Sequence, residues 1–256
     1  MKLTILGSGA ALFNPKRVAS GHLLQTGENL ILLDAGPGVL RQFNKAGADY
    51  FDLTHIFISH THADHLSDLM PIIVSIFVRT LALGGSAVRK KPLTIIGPPG
   101  FKKVYRFLRK AMMPEKEPFK IQVFEMASSR KKFDNFKLES NITRHVEYWK
   151  SVSYKIQAEG KTLVYSGDTG FCPEIIDFCR GADVLLLEGT VPIAWEMPKG
   201  HLNPQFAADI AQLSGAKTLI LSHLYDIDTP SEIKSKVAKI FHGKIIIAKD
   251  LEKINI

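Results

Sequence analysis

The stretch FISHTHADH, residues 57–65, places three histidines and one aspartate within six positions, directly after an apolar run. Alternate residues of a strand share a face, so His60 and His62 should project to the same side where the strand ends. Asp64 and His65 follow in the expected turn and can reach the same space. Imidazole and carboxylate are the usual ligands of Zn²⁺ and related ions, and such groups are costly to bury without a cation. The stretch therefore predicts a metal site at a strand end.

Length and charge narrow the class of protein. The chain has 256 residues, of which 45% are hydrophobic, and we expect one α/β domain over residues 1–256. The net charge of +8 favours anionic partners such as nucleotides or RNA. The two cysteines, Cys172 and Cys179, lie seven apart in an expected helix and form no CxxC pair. This usage is typical of reduced thiols in a cytoplasmic protein.

No segment of the sequence has the pattern of a membrane anchor or an export signal. The first residues, MKLTILGSGAALF, lack the long apolar region of a signal peptide. The longest apolar run, residues 69–78, contains Pro71 and ends at Arg79, so it is too short to span a bilayer. We therefore expect no membrane association.

The apolar periodicity predicts strands in the first part of the chain and a clean alternation of helices and strands in the last third. The segments LILLDAGPG and LVYSGDTG share a strand followed by a glycine turn, about half a chain apart, which hints at two similar halves. The basic runs at residues 89–91 and 130–132 are expected to be solvated loops.

Further candidate ligands follow other predicted strands. His145 comes after FKLES, Asp168 lies in YSGDTG after an apolar strand, and His223 ends the run TLILSH. Open α/β sheets present functional groups at strand ends. Each residue alone would more often be structural, but together with HTHADH they form a consistent set.

The combination of HTHADH, His145, SGDTG and LSHL resembles the metallo-β-lactamase superfamily. That resemblance implies an α/β fold, the αββα sandwich, with a metal site at one edge. Within the superfamily the chain looks most like the ribonuclease Z branch, and the likeness spans nearly the whole chain. The segments that carry it are LGSGAALFNPKRVAS, LDAGPGVLRQF, SVSYKIQAEGKTLVYSGDTG and GHLNPQFAADIAQLSGAKTLILSHL.

The resemblance implies two metal ions. The first would be held by His60, His62 and His145, the second by Asp64, His65 and His223, with Asp168 bridging the two. Two divalent ions roughly 3.5–4 Å apart can share a hydroxide that attacks phosphorus, at a water pKa lowered toward about 7. Asp64 would also help to orient that hydroxide. We expect zinc. Manganese and iron are alternatives, because histidine and aspartate side chains bind all three metals.

Two further residues receive catalytic roles from the resemblance. His201, in GHLNP, occupies the place of a histidine that assists the leaving group in ribonuclease Z relatives. Glu188, in LLLEGT, resembles the glutamate of the family's HEAT segment and would orient His201, although Leu187 and Gly189 replace that segment's histidine and alanine. The alternative for His201 is an ordinary residue at a helix entry, with Asn203 as the N-cap.

The chain also departs from the branch. Bacterial ribonuclease Z carries a glycine-rich arm that grips tRNA, inserted between the positions of His145 and Asp168, but here those residues are only 23 apart. The glutamate of the family's GEGTQ loop is absent, since the chain reads Gly36-Pro37-Gly38. Armless relatives that hydrolyse small diesters, such as cyclic nucleotides and cyclic phosphates, fit better.

Three hypotheses result. The leading one is a dinuclear metal-dependent phosphodiesterase for a small or single-stranded diester. The second is a tRNA 3′-processing endonuclease, which would recruit another chain or use Lys16, Arg17, Arg89, Lys90 and Lys91 against phosphates. The third is a non-catalytic metal-binding or biosynthetic accessory protein on the same fold. The apolar helix at residues 70–78 could lie in the core or pair two subunits, and the resemblance favours a homodimer.

Overall fold

A computed structural model describes residues 1–83, 89, 91–148, 150–195 and 199–256. Within these residues, the N-terminal half supplies most of a first mixed sheet of seven strands. In spatial order they are β14 (Lys253–Asn255), β1 (Lys2–Gly7), β2 (Gly21–Thr26), β3 (Asn29–Leu33), β4 (His55–Phe57), β5 (Leu93–Gly97) and β6 (Ile121–Glu125). The first three pairings are antiparallel and the last three are parallel.

The second sheet, again counted over the described part of the chain, also has seven strands. They are β7 (Ser129–Lys132), β8 (Lys137–Ile142), β9 (Val152–Ala158), β10 (Lys161–Tyr165), β11 (Val184–Glu188), β12 (Thr218–Ser222) and β13 (Lys244–Ile247). Three antiparallel pairings are again followed by three parallel ones. Strands β3 and β10, which carry the two similar sequence segments, take equivalent places, so the two halves share one topology.

Helices cover the outer face of each sheet. On the first sheet lie α1 (Val39–Ala46), α2 (Ala63–Leu66), α3 (Leu69–Leu83) and α4 (Phe101–Met112); on the second lie α5 (Pro173–Cys179), α6 (Pro204–Ser214) and α7 (Pro230–Val237). One buried apolar cluster separates the two sheets, and two others lie under the helices. The predicted αββα sandwich is therefore confirmed.

The basic runs differ from the sequence prediction. Residues 130–132 lie in β7, where Arg130 forms an ion pair with Glu139 at 3.1 Å, and are not a loop. The side chain of Arg89 is buried and donates to the carbonyls of Phe51 and Leu53, so it is neither solvated nor free for phosphate.

Arg17 is also committed to the protein. Its side chain is only 9% exposed and donates to the hydroxyl of Ser8 and the carbonyl of Ala248. The prediction that Arg17 could hold phosphate is therefore wrong. Of the other basic residues considered for that role, Lys16 and Lys91 are exposed, and Lys90 lies outside the described residues.

The apolar helix is longer than the sequence pattern indicates. The segment Ala63–Ala82, which comprises α2 and most of α3, is long and apolar enough to cross a membrane by length and composition, whereas the sequence pattern counted only residues 69–78. The core helix of a soluble protein meets the same criteria. The inner face of α3 packs into the core in this way, because Leu69, Ile72, Ile73 and Ile76 are fully buried. Pro71 lies in the first turn of α3, where a proline does not interrupt the helical hydrogen bonds.

One carboxylate links the C-terminal segment to the N-terminal loop. Asp250 accepts hydrogen bonds from the backbone N–H of Ser8 at 2.9 Å, the hydroxyl of Ser8 at 2.7 Å and the N–H of Val18 at 2.7 Å. The carbonyl of Ser8 in turn accepts from Leu224, next to His223. The interaction therefore supports a loop at the edge where His223 lies.

We expect Asp250→Ala to lower the free energy of unfolding by about 2–3 kcal/mol, because several partly buried donors lose a charged acceptor. Urea unfolding of the metal-free protein measures this value. The matched control is Asp134→Ala, since Asp134 is exposed and its side chain has no hydrogen bond to another described residue. Equal unfolding midpoints for the two variants would show that Asp250 does not stabilise the fold.

Candidate metal centre

The seven predicted metal ligands lie together at one edge of the sandwich. Strand β4 ends at Phe57, and His60 follows as a fully buried residue. His62 occupies the N-cap of α2, whose first turn carries Asp64 and His65. A helical turn, and not an open turn, therefore brings the carboxylate and the last imidazole of HTHADH toward the other two.

Three imidazoles form the first cluster. The Nδ1 atom of His62 lies 3.0 Å from Nε2 of His60 and 3.2 Å from Nε2 of His145. His145 comes from the loop after β8, so the cluster joins the two sheets. Three nitrogens that face one point are the donor set that zinc and related cations accept.

The second cluster combines two imidazoles and a carboxylate. The Nε2 atoms of His65 and His223 are 3.0 Å apart, and Oδ2 of Asp64 lies 3.2 Å from the Nε2 atom of His223. His223 follows β12, at the edge where the parallel strands of both sheets end. Its φ of 57° is rare for a residue other than glycine and turns the chain sharply at the centre.

Asp168 lies between the clusters and is 2% exposed. Its Oδ1 atom is 3.4 Å from Nε2 of His65 and 3.6 Å from Nε2 of His223. Its Oδ2 atom is 3.7 Å from Nε2 of His60 and 3.9 Å from Nε2 of His145. Each oxygen therefore faces a different cluster, and Oδ1 has no hydrogen-bond partner among the described residues.

The charge state of the imidazoles suits a cation. Burial lowers the pKa of His60 and His145 below the ordinary histidine value, which favours the neutral, metal-binding form. Burial also acts to lower the pKa of His65, but the charges of Asp168 and Asp34 outweigh it and raise that pKa well above the ordinary value. The carboxylates of Asp168 and Asp34 therefore favour a positive charge at the position of His65. The donor set and the orphaned carboxylate oxygen fit divalent cations.

Four of the predicted ligand histidines are oriented through their second ring nitrogen. The Nδ1 partners are Ser59 Oγ for His60 at 3.0 Å, Asp34 Oδ2 for His65 at 2.7 Å, the Gly200 carbonyl for His145 at 2.9 Å and Thr190 Oγ1 for His223 at 2.7 Å. These acceptors fix the tautomer that carries the proton on Nδ1 and leaves Nε2 free.

Asp34 is a buried carboxylate beside the candidate site that the sequence pattern did not single out. It is fully buried, and its carboxylate accepts from the N–H and the hydroxyl of Ser59, both at 2.6 Å, and from the hydroxyl of Tyr165 at 2.5 Å. Its φ of 59° directs the side chain beneath His65. The available signal was an aspartate that follows an apolar strand and precedes a glycine turn, as Asp168 does.

His201 and Glu188 are adjacent, as predicted. The His201 Nδ1 atom lies 3.1 Å from Glu188 Oε2, and its side chain is 24% exposed. Burial acts to lower the pKa of His201, but the hydrogen bond and charge of Glu188, aided by Asp168, raise it to about 9. Asn203 is the N-cap of α6, accepting from Phe206 at 2.8 Å, as predicted.

Glu188 has further partners near the centre. It accepts from the N–H of Thr169 at 2.7 Å and from the hydroxyl of Thr190 at 2.5 Å. Because Thr190 also binds His223, one buried carboxylate links His201 to a residue of the second cluster. Thr190 carried no signal in the sequence beyond its place two residues after Glu188.

Two glycines allow backbone segments to approach the centre closely. A Cβ on Gly200, which has a φ of 98°, would lie 1.9 Å from the carbonyl oxygen of His145. A Cβ on Gly36 would lie 2.1 Å from the carbonyl oxygen of Asp64. Both distances are far below van der Waals contact, so only glycine fits at these positions.

Solved structures share this fold. The metallo-beta-lactamase fold protein YhfI from Bacillus subtilis superposes with a TM-score of 0.84 at 23% identity, covering 99% of this chain and 98% of that one. Human tRNase Z, short form, gives a TM-score of 0.79 at 24% identity, with 100% of this chain and 99% of that one covered.

Sequence comparison gives the family. Ribonuclease Z from Mycobacterium bovis (strain BCG / Pasteur 1173P2) is 24% identical over 283 residues, covering 100% of this chain and 98% of that protein. Residues 29–224 match the family model described as the beta-lactamase superfamily domain, and this range contains all of the clustered histidines and aspartates. The chain therefore belongs to the family described as the beta-lactamase superfamily domain, and it is a metal-dependent hydrolase.

Proposed function

We propose that the protein is a dinuclear metal phosphodiesterase that hydrolyses a small or single-stranded phosphodiester in the cytoplasm. The placement of Asp168 carries this proposal, because its two oxygens face two separate clusters of nitrogen and oxygen donors. Two divalent ions held there would lower the pKa of bound water toward about 7 and neutralise phosphate oxygens.

The seven clustered residues are assigned as ligands. His60, His62 and His145 would hold one ion, Asp64, His65 and His223 would hold the other, and Asp168, which lies between the two groups, would serve both. Five of the seven donors are imidazoles, which favours zinc over the harder magnesium or calcium, with manganese and iron as alternatives.

Three residues are assigned roles in the chemistry. Asp64 has a partly exposed carboxylate at the open side of the second cluster, where it can orient the attacking water. Glu188 accepts the Nδ1 proton of His201, so the other ring nitrogen of His201 can give its proton to the leaving oxygen. Glu188 is thus a positioning residue for His201.

The link between His145 and Asp168 favours a small substrate. It consists of a short loop and the hairpin of β9 and β10, whose turn at Glu159 is held against the first sheet by Thr26 at 2.9 Å and by the N-terminal amine at 2.6 Å. The described residues of this link form no projecting arm that could grip tRNA.

A tRNA 3′-processing endonuclease is the second candidate. Curated relatives that match the whole chain bear the name ribonuclease Z, and the net charge is +8.

The homodimer that the resemblance favours would use the outer face of α3, where Val78 and Leu81 are 54% and 58% exposed.

The third candidate, a non-catalytic accessory protein, has no supporting observation, because every expected ligand is present.

We expect the metal-replete protein to hydrolyse a 2′,3′-cyclic nucleotide and to leave a precursor tRNA with a 3′ trailer intact, because the described residues between His145 and Asp168 form no arm that could grip tRNA. Product chromatography and gel electrophoresis on one preparation measure both reactions. Accurate cleavage at the trailer junction with no cyclic nucleotide turnover would instead establish the tRNA-processing function. Bound metal with neither reaction would favour the accessory protein.

We expect Asp168→Ala to reduce bound metal from two ions per chain to one or fewer and to slow hydrolysis at least ~10²-fold, because the anionic bridge is lost. Elemental analysis after gel filtration measures metal content. Asp177→Ala is the control, since Asp177 is an exposed residue of α5. A variant that keeps two ions and full turnover would refute the bridging role of Asp168.

We expect His201→Ala to retain its metal and to slow hydrolysis roughly 10²-fold, with a larger loss for alkyl than for nitrophenyl leaving groups, because a poor leaving group needs a proton donor. The rates of paired diesters that differ only in the leaving group measure this effect. His242→Ala, an exposed histidine, is the control. Equal slowing of both diesters would exclude proton donation by His201.

A further inference from the structure

Three loops at the metal edge are connected to one another. The N–H of Leu224 donates to the carbonyl of Ser8 at 2.9 Å. The N–H of Ile193 donates to a carboxylate oxygen of Asp228 at 2.8 Å, which joins the loop before His201 to the loop after His223. The N-terminal glycine loop and the two loops that flank the second cluster therefore form one continuous wall.

This wall exposes large apolar side chains. Leu12 and Phe13 are 61% and 88% exposed, Trp195 is 54% exposed and Ile227 is 48% exposed. The rings of Trp195 and Tyr225 have centroids 6.3 Å apart and are inclined at 43°. Exposed apolar groups gathered on one surface with polar residues around them mark an interaction site.

Tyr225 places this wall beside the second cluster. It lies two positions after His223, so its backbone is within about 7 Å of a ligand residue. The phenol of Tyr225 therefore belongs to the loop that leaves the second cluster.

We propose that Trp195 and Tyr225 bind the nucleobase adjoining the scissile phosphate, so that the substrate is a nucleotide diester and not a diester without a base. This inference rests on the phosphodiesterase function proposed above. It assigns recognition to two aromatic side chains outside the metal clusters.

The chemistry of the two rings favours a base over an alkyl chain. Neither the indole N–H of Trp195 nor the hydroxyl of Tyr225 hydrogen-bonds to another group in the described part of the chain. An alkyl ligand would cover these polar groups without partners, which is costly, whereas a nucleobase offers a flat face and a polar edge. Stacking also accepts any base, because every base has an aromatic face.

The test compares two diesters with the same leaving group: thymidine 5′-(4-nitrophenyl phosphate), which carries a base, and methyl 4-nitrophenyl phosphate, which does not. The measured quantity is the ratio of their kcat/KM values for the metal-replete protein, for Trp195→Leu and for Tyr225→Leu. Trp195→Phe tests rescue by a smaller ring. Phe107→Leu is the control, because Phe107 is an aromatic residue of α4 that is 72% exposed.

We expect wild type to prefer the thymidine diester and each leucine variant to lose at least about fivefold of that preference, mainly through KM, because a stacking contact is lost. Trp195→Phe should recover part of it, and Phe107→Leu should match wild type. Metal content should stay the same in all variants. Equal kcat/KM values for the two diesters in wild type, or a ratio unchanged in both leucine variants, would overturn the inference while the phosphodiesterase function stands. If wild type hydrolyses neither diester, the proposed function fails, and the inference fails with it.

Discussion

The two oxygens of Asp168 face two separate groups of donors, and the rest of the fold supports this arrangement. Seven titratable side chains gathered at the junction of two sheets are costly to bury unless cations neutralise and coordinate them. The fold supplies the positions, because the parallel strands of both sheets end at this edge. Acceptors that include Asp34, Thr190 and the Gly200 carbonyl then fix which nitrogen of four histidines faces the centre, namely His60, His65, His145 and His223.

Much of the fold and of the candidate metal centre could be predicted from the sequence. Metal ligands have a distinctive spacing, and apolar periodicity marks most strands and helices, so the sandwich and the positions of the clusters follow from local patterns and the family resemblance. Strand β7 was missed because its sequence, SRKK, is stabilised by pairing with β8 and not by its own propensity. Arg89 was misjudged because its carbonyl acceptors lie more than thirty positions away. Asp34 was missed because a buried aspartate in a glycine turn resembles a turn residue.

The metal clusters and the loops around them determine different properties. The clusters lie within the range that matches the family model, and the general reaction of the chain is a metal-dependent hydrolysis. We infer that specificity depends on two features of this chain, the compact link between His145 and Asp168 and the aromatic wall at Trp195 and Tyr225. These features favour a compact substrate that carries a base, while the basic side chains of Arg17 and Arg89 stabilise the fold itself.

We propose above that two metal ions lie on either side of Asp168. X-ray absorption spectroscopy of the zinc-loaded wild-type protein tests it most directly. We expect nitrogen and oxygen neighbours at about 2.0–2.2 Å from each ion and a metal–metal distance of roughly 3.5–4 Å. A spectrum from a fully loaded protein that shows one ion per chain and no metal–metal scattering would contradict the two-metal site.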